Sequence, residues 1–127
     1  MRSGSQLPTI TVELLEDGSE LEWKPEAGRT NLVVCCSLWH PKARELLQSA
    51  IQRSEEDGLA LAVLSTDWSI DAARKHAGEL DAGADVLYAG PGNQKVENAW
   101  GVEGPAQAIL VAGDGRVIDV PSAGELP

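Results

Sequence analysis

The segment Asn31–Ile51 reads NLVVCCSLWHPKARELLQSAI and decides the fold. Its first part, Asn31–Ser37, is almost wholly apolar, which is typical of a central buried strand. Pro41 then suits the first residue of a helix. Apolar residues follow at helical spacing and predict one buried stripe, made up of Ala43, Leu46, Leu47, Ala50 and Ile51. Gly58 is predicted to end this helix.

Outward from this unit, strand and helix patterns alternate, which predicts an α/β layer fold with a partly parallel sheet. An N-terminal hairpin precedes it, in which Thr9–Leu15 is predicted to be an edge strand. The other predicted strands are Glu20–Trp23, which completes the hairpin, the buried strand Leu59–Ser65, the short strand Ala84–Ala89, and Ala106–Val111. A last strand, Arg116–Val120, is predicted to pair back after the Asp114-Gly115 turn. The other predicted helices are one capped by Ser69 that ends near Leu80 and one from Gln94 to Trp100.

Length and charge narrow the possibilities. A chain of 127 residues suits one domain, predicted to span residues 9–127 after a leader or disordered segment at 1–8. The formal net charge of −10 opposes binding to nucleic acids and anionic membranes. A basic protein surface or a cationic small molecule suits this charge better, and a protein partner is favoured. No apolar run approaches the roughly 18 residues of a membrane span, and no signal-peptide core is present. Cytoplasmic and exported locations both stay open, as does the oligomeric state.

The two cysteines, Cys35 and Cys36, are adjacent, so no ordinary structural disulfide is expected within the chain. Their side chains should point to opposite faces of the strand. Either they are small apolar residues of the core, as free cysteines often are, or one of them is reactive. Cys36 is the better candidate, because it lies closer to the turn that precedes His40.

Several segments together resemble the TlpA/ResA-type thioredoxins, which border on the alkyl hydroperoxide reductase/thiol-specific antioxidant redoxins. The resemblance covers Ile10 to Leu126, and Trp39 with HPKA, Arg44 and Glu45 resembles the W-C-x-x-C-R-x-E segment of that family. It implies a thioredoxin fold: three α/β/α layers, a central mixed sheet and an N-terminal β-hairpin. It also implies a binding groove, formed by Trp39, His40, Pro41, Gly104, Pro105 and Ala106.

The sequence departs from the family pattern at the positions that carry its chemistry. His40 and Ala43 stand where the family has its attacking and resolving cysteines, so dithiol–disulfide exchange by the usual route is not expected. Pro105 lies one residue before the position expected of the family's cis-proline, which leaves its isomer open. The chain also stops where the family usually starts a last helix, so the domain is predicted to lack that helix.

Two functions follow. The favoured one is a redox-inactive binding or interaction module that uses the groove and needs no cofactor, and is not an enzyme. The alternative is a thiol-dependent oxidoreductase or antioxidant, or a copper-metallochaperone-like protein, that uses Cys36 with His40. Their C-x-x-x-H spacing is similar to the copper-binding C-x-x-x-C segment of Sco-type members of this fold, and a thiolate with an imidazole suits copper(I) or zinc. His76 is expected to be remote from this site.

Overall fold

The computed structural model describes residues 2–79 and 86–127. These residues form seven strands and three helices. In chain order they are β1 (Ile10–Leu14), β2 (Glu20–Trp23), β3 (Asn31–Cys36), α1 (Pro41–Asp57), β4 (Ala60–Ser65), α2 (Ile70–Glu79), β5 (Val86–Tyr88), α3 (Gln94–Trp100), β6 (Ala106–Val111) and β7 (Val117–Asp119). Within the described ranges, no helix is long and apolar enough to cross a membrane.

The local signals in the sequence position the helices correctly. α1 starts at Pro41, and Gly58 ends it in the left-handed conformation at φ 66°, which glycine adopts without steric cost. The Ser69 hydroxyl accepts a hydrogen bond from the Ala72 N–H at 3.1 Å and so caps α2, as predicted. Three residues of the predicted elements, Leu80, Ala84 and Asp85, lie outside the described residues.

The seven strands form one mixed sheet in the order β2-β1-β5-β4-β3-β6-β7. β3, β4 and β5 are parallel, whereas β6 is antiparallel to β3, and β1 is antiparallel to β5. The predicted mixed α/β fold with an N-terminal hairpin is therefore confirmed.

The prediction that Thr9–Leu15 is an edge strand was wrong. β1 lies between β2 and β5, with Glu13 opposite Tyr88 and Leu14 opposite Leu87, and β2 forms the edge. Alternation of apolar and polar residues reports only that one face of a strand is solvated. Whether a strand has one neighbour or two depends on contacts with distant segments, which alternation does not encode.

Side chains of β3 alternate between two apolar clusters on opposite faces of the sheet. Val33 and Cys35 join the cluster that contains Trp100 of α3. Leu32, Val34 and Cys36 join the cluster that contains the buried stripe of α1. The sheet is thus covered by α1 on one face and by α3 on the other, which are the three predicted layers.

Part of the N-terminal segment packs on the domain. Gln6 forms a β-bridge with Arg116, and the Leu7 N–H donates to the Gly115 carbonyl at 2.8 Å. The Leu7 side chain is 6% exposed and belongs to the same cluster as Trp100. The boundary at residue 9 stays a prediction, and these contacts provide a way to test it.

Candidate functional site

The candidate site lies at the carboxyl edge of the parallel strands, where β3 leads into α1. His40 is the N-cap residue of α1, with an extended backbone at φ −85° and ψ 130°. Its Nδ1 atom accepts a hydrogen bond from the Lys42 N–H at 3.2 Å. The imidazole therefore satisfies one of the free N–H groups at the helix start, which is the task of an N-cap side chain.

Both thiols are buried in the sheet. Cys36 is fully buried, and burial, followed by the negative charge of Asp67, raises its pKa to about 12. Cys35 is 1% exposed on the other face of the sheet, and burial also raises its pKa. Both groups are neutral thiols at physiological pH, whereas the thiolate is the nucleophile and the metal ligand.

Ala43 is fully buried and packs in the same cluster as Cys36. Where the resemblance places a resolving thiol, the chain therefore has a methyl group in the core. Within the described residues, no group of three or more His, Cys, Asp or Glu side chains is arranged to hold a metal ion. Of the two metal-ligand candidates, Cys36 lies among apolar side chains and His40 uses Nδ1 for the cap.

The Pro105 loop lies beside the turn at 37–40. The Ser37 N–H donates to the Pro105 carbonyl at 2.9 Å, and the Gly104–Pro105 peptide bond is cis. Among the groove candidates, Trp39 is 54% exposed, and Gly104 and Pro41 are also exposed. Ala106 is 2% exposed and pairs with Cys36 in the sheet, so its side chain is not available to a partner.

Asp67 connects the elements around the site, and the sequence analysis did not single it out. It follows β4 and is 1% exposed. Its Oδ2 atom accepts hydrogen bonds from the Ser65 hydroxyl at 2.6 Å and from the Leu38 N–H at 3.3 Å. Its carbonyl accepts from the Tyr88 hydroxyl at 2.9 Å. Asp67 therefore fixes the turn that carries Trp39 and His40.

That His76 is remote from Cys36 and His40 stays a prediction, but His76 does contact Asp67. Its Nδ1 atom lies 3.4 Å from Asp67 Oδ1, at ion-pair distance. Neither atom has a hydrogen-bond partner among the described residues. The rotation of α2 over the sheet decides this contact, and helical periodicity does not report it. The sequence signal that could have indicated this contact is an acidic residue, Asp67, just after the buried strand β4, together with a histidine, His76, on the next helix.

No family model and no curated protein matches the chain. Among solved structures it is similar to the thioredoxin domain of a thiol-disulfide oxidoreductase from Bacteroides vulgatus, with a TM-score of 0.80 and 18% identity over 97% of this chain and 90% of that one. It is also similar to a thiol-disulfide oxidoreductase from Bacteroides fragilis, with a TM-score of 0.73 and 15% identity over 91% of this chain and 89% of that one.

A third similar structure is a peroxiredoxin-like protein from Aquifex aeolicus, with a TM-score of 0.73 and 17% identity over 98% of this chain and 78% of that one. At such identities the likeness shows the fold alone. The chain has a thioredoxin fold, as the resemblance implied. The activities of these similar proteins are not inferred for this chain from the fold.

Proposed function

We propose that this thioredoxin-fold domain is a redox-inactive interaction module that binds a protein partner through the groove around Trp39, His40 and Pro105. One observation carries the proposal. The α1 N-terminus holds a histidine as its cap, while both cysteines of the chain are buried in the sheet.

The chemistry of exchange explains why burial matters. A thiolate must attack a disulfide sulfur of the partner, and a second thiol must resolve the mixed disulfide. Cys36 has no exposed surface and a pKa raised to about 12, so it supplies neither access nor thiolate. Cys35 is buried on the opposite face of the sheet and is no candidate for the second thiol. The same burial disfavours a copper(I) site that uses Cys36, because the ligand must be deprotonated.

The groove retains features that suit binding. Trp39 exposes about half of its surface, and its indole meets the His40 ring edge to face, with ring centres 5.2 Å apart. Tryptophan is enriched among residues that dominate the energy of protein interfaces. The cap bond to Lys42 and the Asp67 bond to Leu38 hold the turn on either side of Trp39.

Reduction of insulin by dithiothreitol tests the proposal, because the precipitation of insulin reports exchange directly. We expect the purified domain to stay at the rate of the uncatalysed reaction, with an ordinary thioredoxin as positive control. Turnover comparable to that control would remove the proposal. A Cys36→Ser variant would then show whether Cys36 is the thiol responsible, as the alternative function requires.

A further inference from the structure

Two of the four tryptophans are solvent-exposed at the same edge of the sheet. Trp39 is 54% exposed and Trp68 is 78% exposed, whereas Trp23 and Trp100 are 7% and 2% exposed. Aromatic side chains, tryptophan among them, are enriched in protein interfaces relative to the rest of the surface. Trp39 belongs to the groove already described, whereas Trp68 is not explained by it.

Hydrogen bonds join the two turns that carry these indoles. The Leu38 N–H donates to Asp67 Oδ2 at 3.3 Å, and Trp39 and Trp68 are the residues that directly follow this bonded pair. The Ser37 and Thr66 hydroxyls are also hydrogen-bonded, at 3.0 Å. The two tryptophans therefore extend from neighbouring, connected turns.

Each indole has a packing neighbour next to its own turn. The ring of Trp68 packs over Gly92, where an added Cβ would lie 3.4 Å from Cζ3 of the indole. The Gly92 N–H donates to the Asp67 carbonyl at 3.2 Å, which ties this support to the same turn. Trp39 packs against the His40 ring.

We infer that Trp39 and Trp68 together bind a basic segment of the protein partner, with arginine or lysine side chains over the indole faces. The inference rests on the proposed interaction function and specifies its partner. Tryptophan is the aromatic side chain that attracts cations most strongly. The chain has 20 acidic and 10 basic residues, and its net charge of −10 favours a cationic partner over a second copy of itself.

The test is a titration of the full chain with an eight-residue peptide of alternating arginine and glycine, monitored by calorimetry. A peptide with glutamine in place of arginine is the uncharged control. Trp39→Ala and Trp68→Ala leave the net charge unchanged, so any general attraction of a basic peptide to an acidic protein is the same in all variants. We expect each to raise the Kd about two- to fivefold, and the glutamine peptide to bind far more weakly.

Two further variants separate the indole faces from surface hydrophobicity. Trp68→Phe keeps an aromatic face and should recover part of the lost affinity. Ile118→Ala truncates an apolar side chain, 42% exposed, on β7 and should leave the Kd unchanged. Circular dichroism of each variant establishes that it is folded.

Equal affinity of Trp39→Ala, Trp68→Ala and the parent chain for the arginine peptide would overturn the inference, and so would equal binding of the glutamine peptide. A dimer in sedimentation that dissociates in the tryptophan variants would assign the surface to a second copy and overturn it as well. The insulin assay tests whether the domain is redox-inactive, and its result does not depend on peptide binding. The failure of this inference is therefore distinguishable from the failure of the proposed function.

Discussion

Cys35 and Cys36 behave as core residues because consecutive side chains of a central strand face opposite layers. Each is buried between the sheet and a helical layer, and burial penalises the thiolate. In the unfolded chain the same thiols are solvated, and their ordinary pKa is 9.0. Folding therefore raises the pKa of both thiols, and this difference links stability to pH.

We expect the free energy of unfolding to fall as pH rises above about 9. The folded pKa lies above the unfolded one, so the stabilisation is complete below pH 9 and is lost on the way to about 12 for Cys36. Each thiol contributes a slope of about 1.4 kcal/mol per pH unit in that window. Urea unfolding at pH 8, 9 and 10 under reducing conditions measures it.

Cys36→Ala is the control for this pH dependence. In this variant the free energy of unfolding should fall less steeply with pH, because only the Cys35 thiol still contributes to the slope. An unchanged slope in Cys36→Ala would contradict the burial argument, whatever its effect on stability at neutral pH.

Gly90 offers a second test at the scale of one residue. A Cβ at this position would overlap the Tyr88 hydroxyl oxygen and lie 2.5 Å from the Asp67 carbonyl oxygen. These two atoms form the hydrogen bond that holds the turn beside Trp68. We expect Gly90→Ala to destabilise the domain by about 1–3 kcal/mol in urea unfolding, because the backbone must shift to make room.

The matched control is Gly78→Ala. Gly78 lies within α2, where an added Cβ has nothing within 4 Å. Alanine is the better helix former, so this variant should be as stable as the parent or more stable, by up to about 1 kcal/mol. Similar losses of stability in Gly90→Ala and Gly78→Ala would show that the contacts of a Cβ with Tyr88 and Asp67 are not the reason why Gly90 resists substitution.

Among the elements, α1 carries the candidate site at its N-terminal turn. His40 is the cap and Ala43 is three residues later, so the two Cβ atoms lie on one turn of the helix. We expect His40→Cys with Ala43→Cys to fold and to form a disulfide under mild oxidant. Free-thiol titration of the denatured protein, before and after oxidation, measures it.

The single variants His40→Cys and Ala43→Cys are the controls for this experiment. Each provides one new thiol beside the buried pair, so neither should lose thiols on oxidation as a monomer. A folded double variant whose thiols never bridge would mean that the helix start departs from the geometry required of a cysteine pair.

The elements around α1 are joined by contacts that cross the sheet edge. Asp67 connects the end of β4 to the turn before α1, and His76 brings α2 to the same carboxylate. An Arg44–Glu79 ion pair at 3.0 Å joins α1 to α2 directly. These connections explain why loops far apart in sequence present Trp39 and Trp68 on one surface.

For the whole molecule, the burial of Leu7 bears on where the domain begins. Leu7 is 6% exposed in the core cluster, although the sequence analysis assigned residues 1–8 to a leader or disordered segment. Leu7→Ala should lower the free energy of unfolding by about 2–5 kcal/mol, the range for truncating a buried leucine. Thermal and urea unfolding measure the loss.

Leu14→Ala is the matched control, because it removes the same atoms from a leucine that is 36% exposed at the end of β1. Its effect should be clearly smaller. A Leu7→Ala variant as stable as the parent chain would support the leader boundary at residue 9 and remove this segment from the domain.

Much of the fold could be predicted because its signals are local. The apolar run Asn31–Cys36, the proline that starts α1, the glycine that ends it and the Ser69 cap of α2 each depend on neighbours a few residues apart. The absence of a cysteine pair at the helix start is likewise a property of the sequence. From these signals, the element order and the resemblance to the thioredoxin fold follow.

Only the tertiary structure decided how distant segments meet. It placed β1 inside the sheet, brought His76 to Asp67, and connected the turns of Trp39 and Trp68. It also buried Ala106, which the sequence analysis had placed in the predicted groove. The physical reason is that periodicity and capping record which face of an element is apolar. The rotation and neighbours of that element depend on packing between residues far apart in sequence.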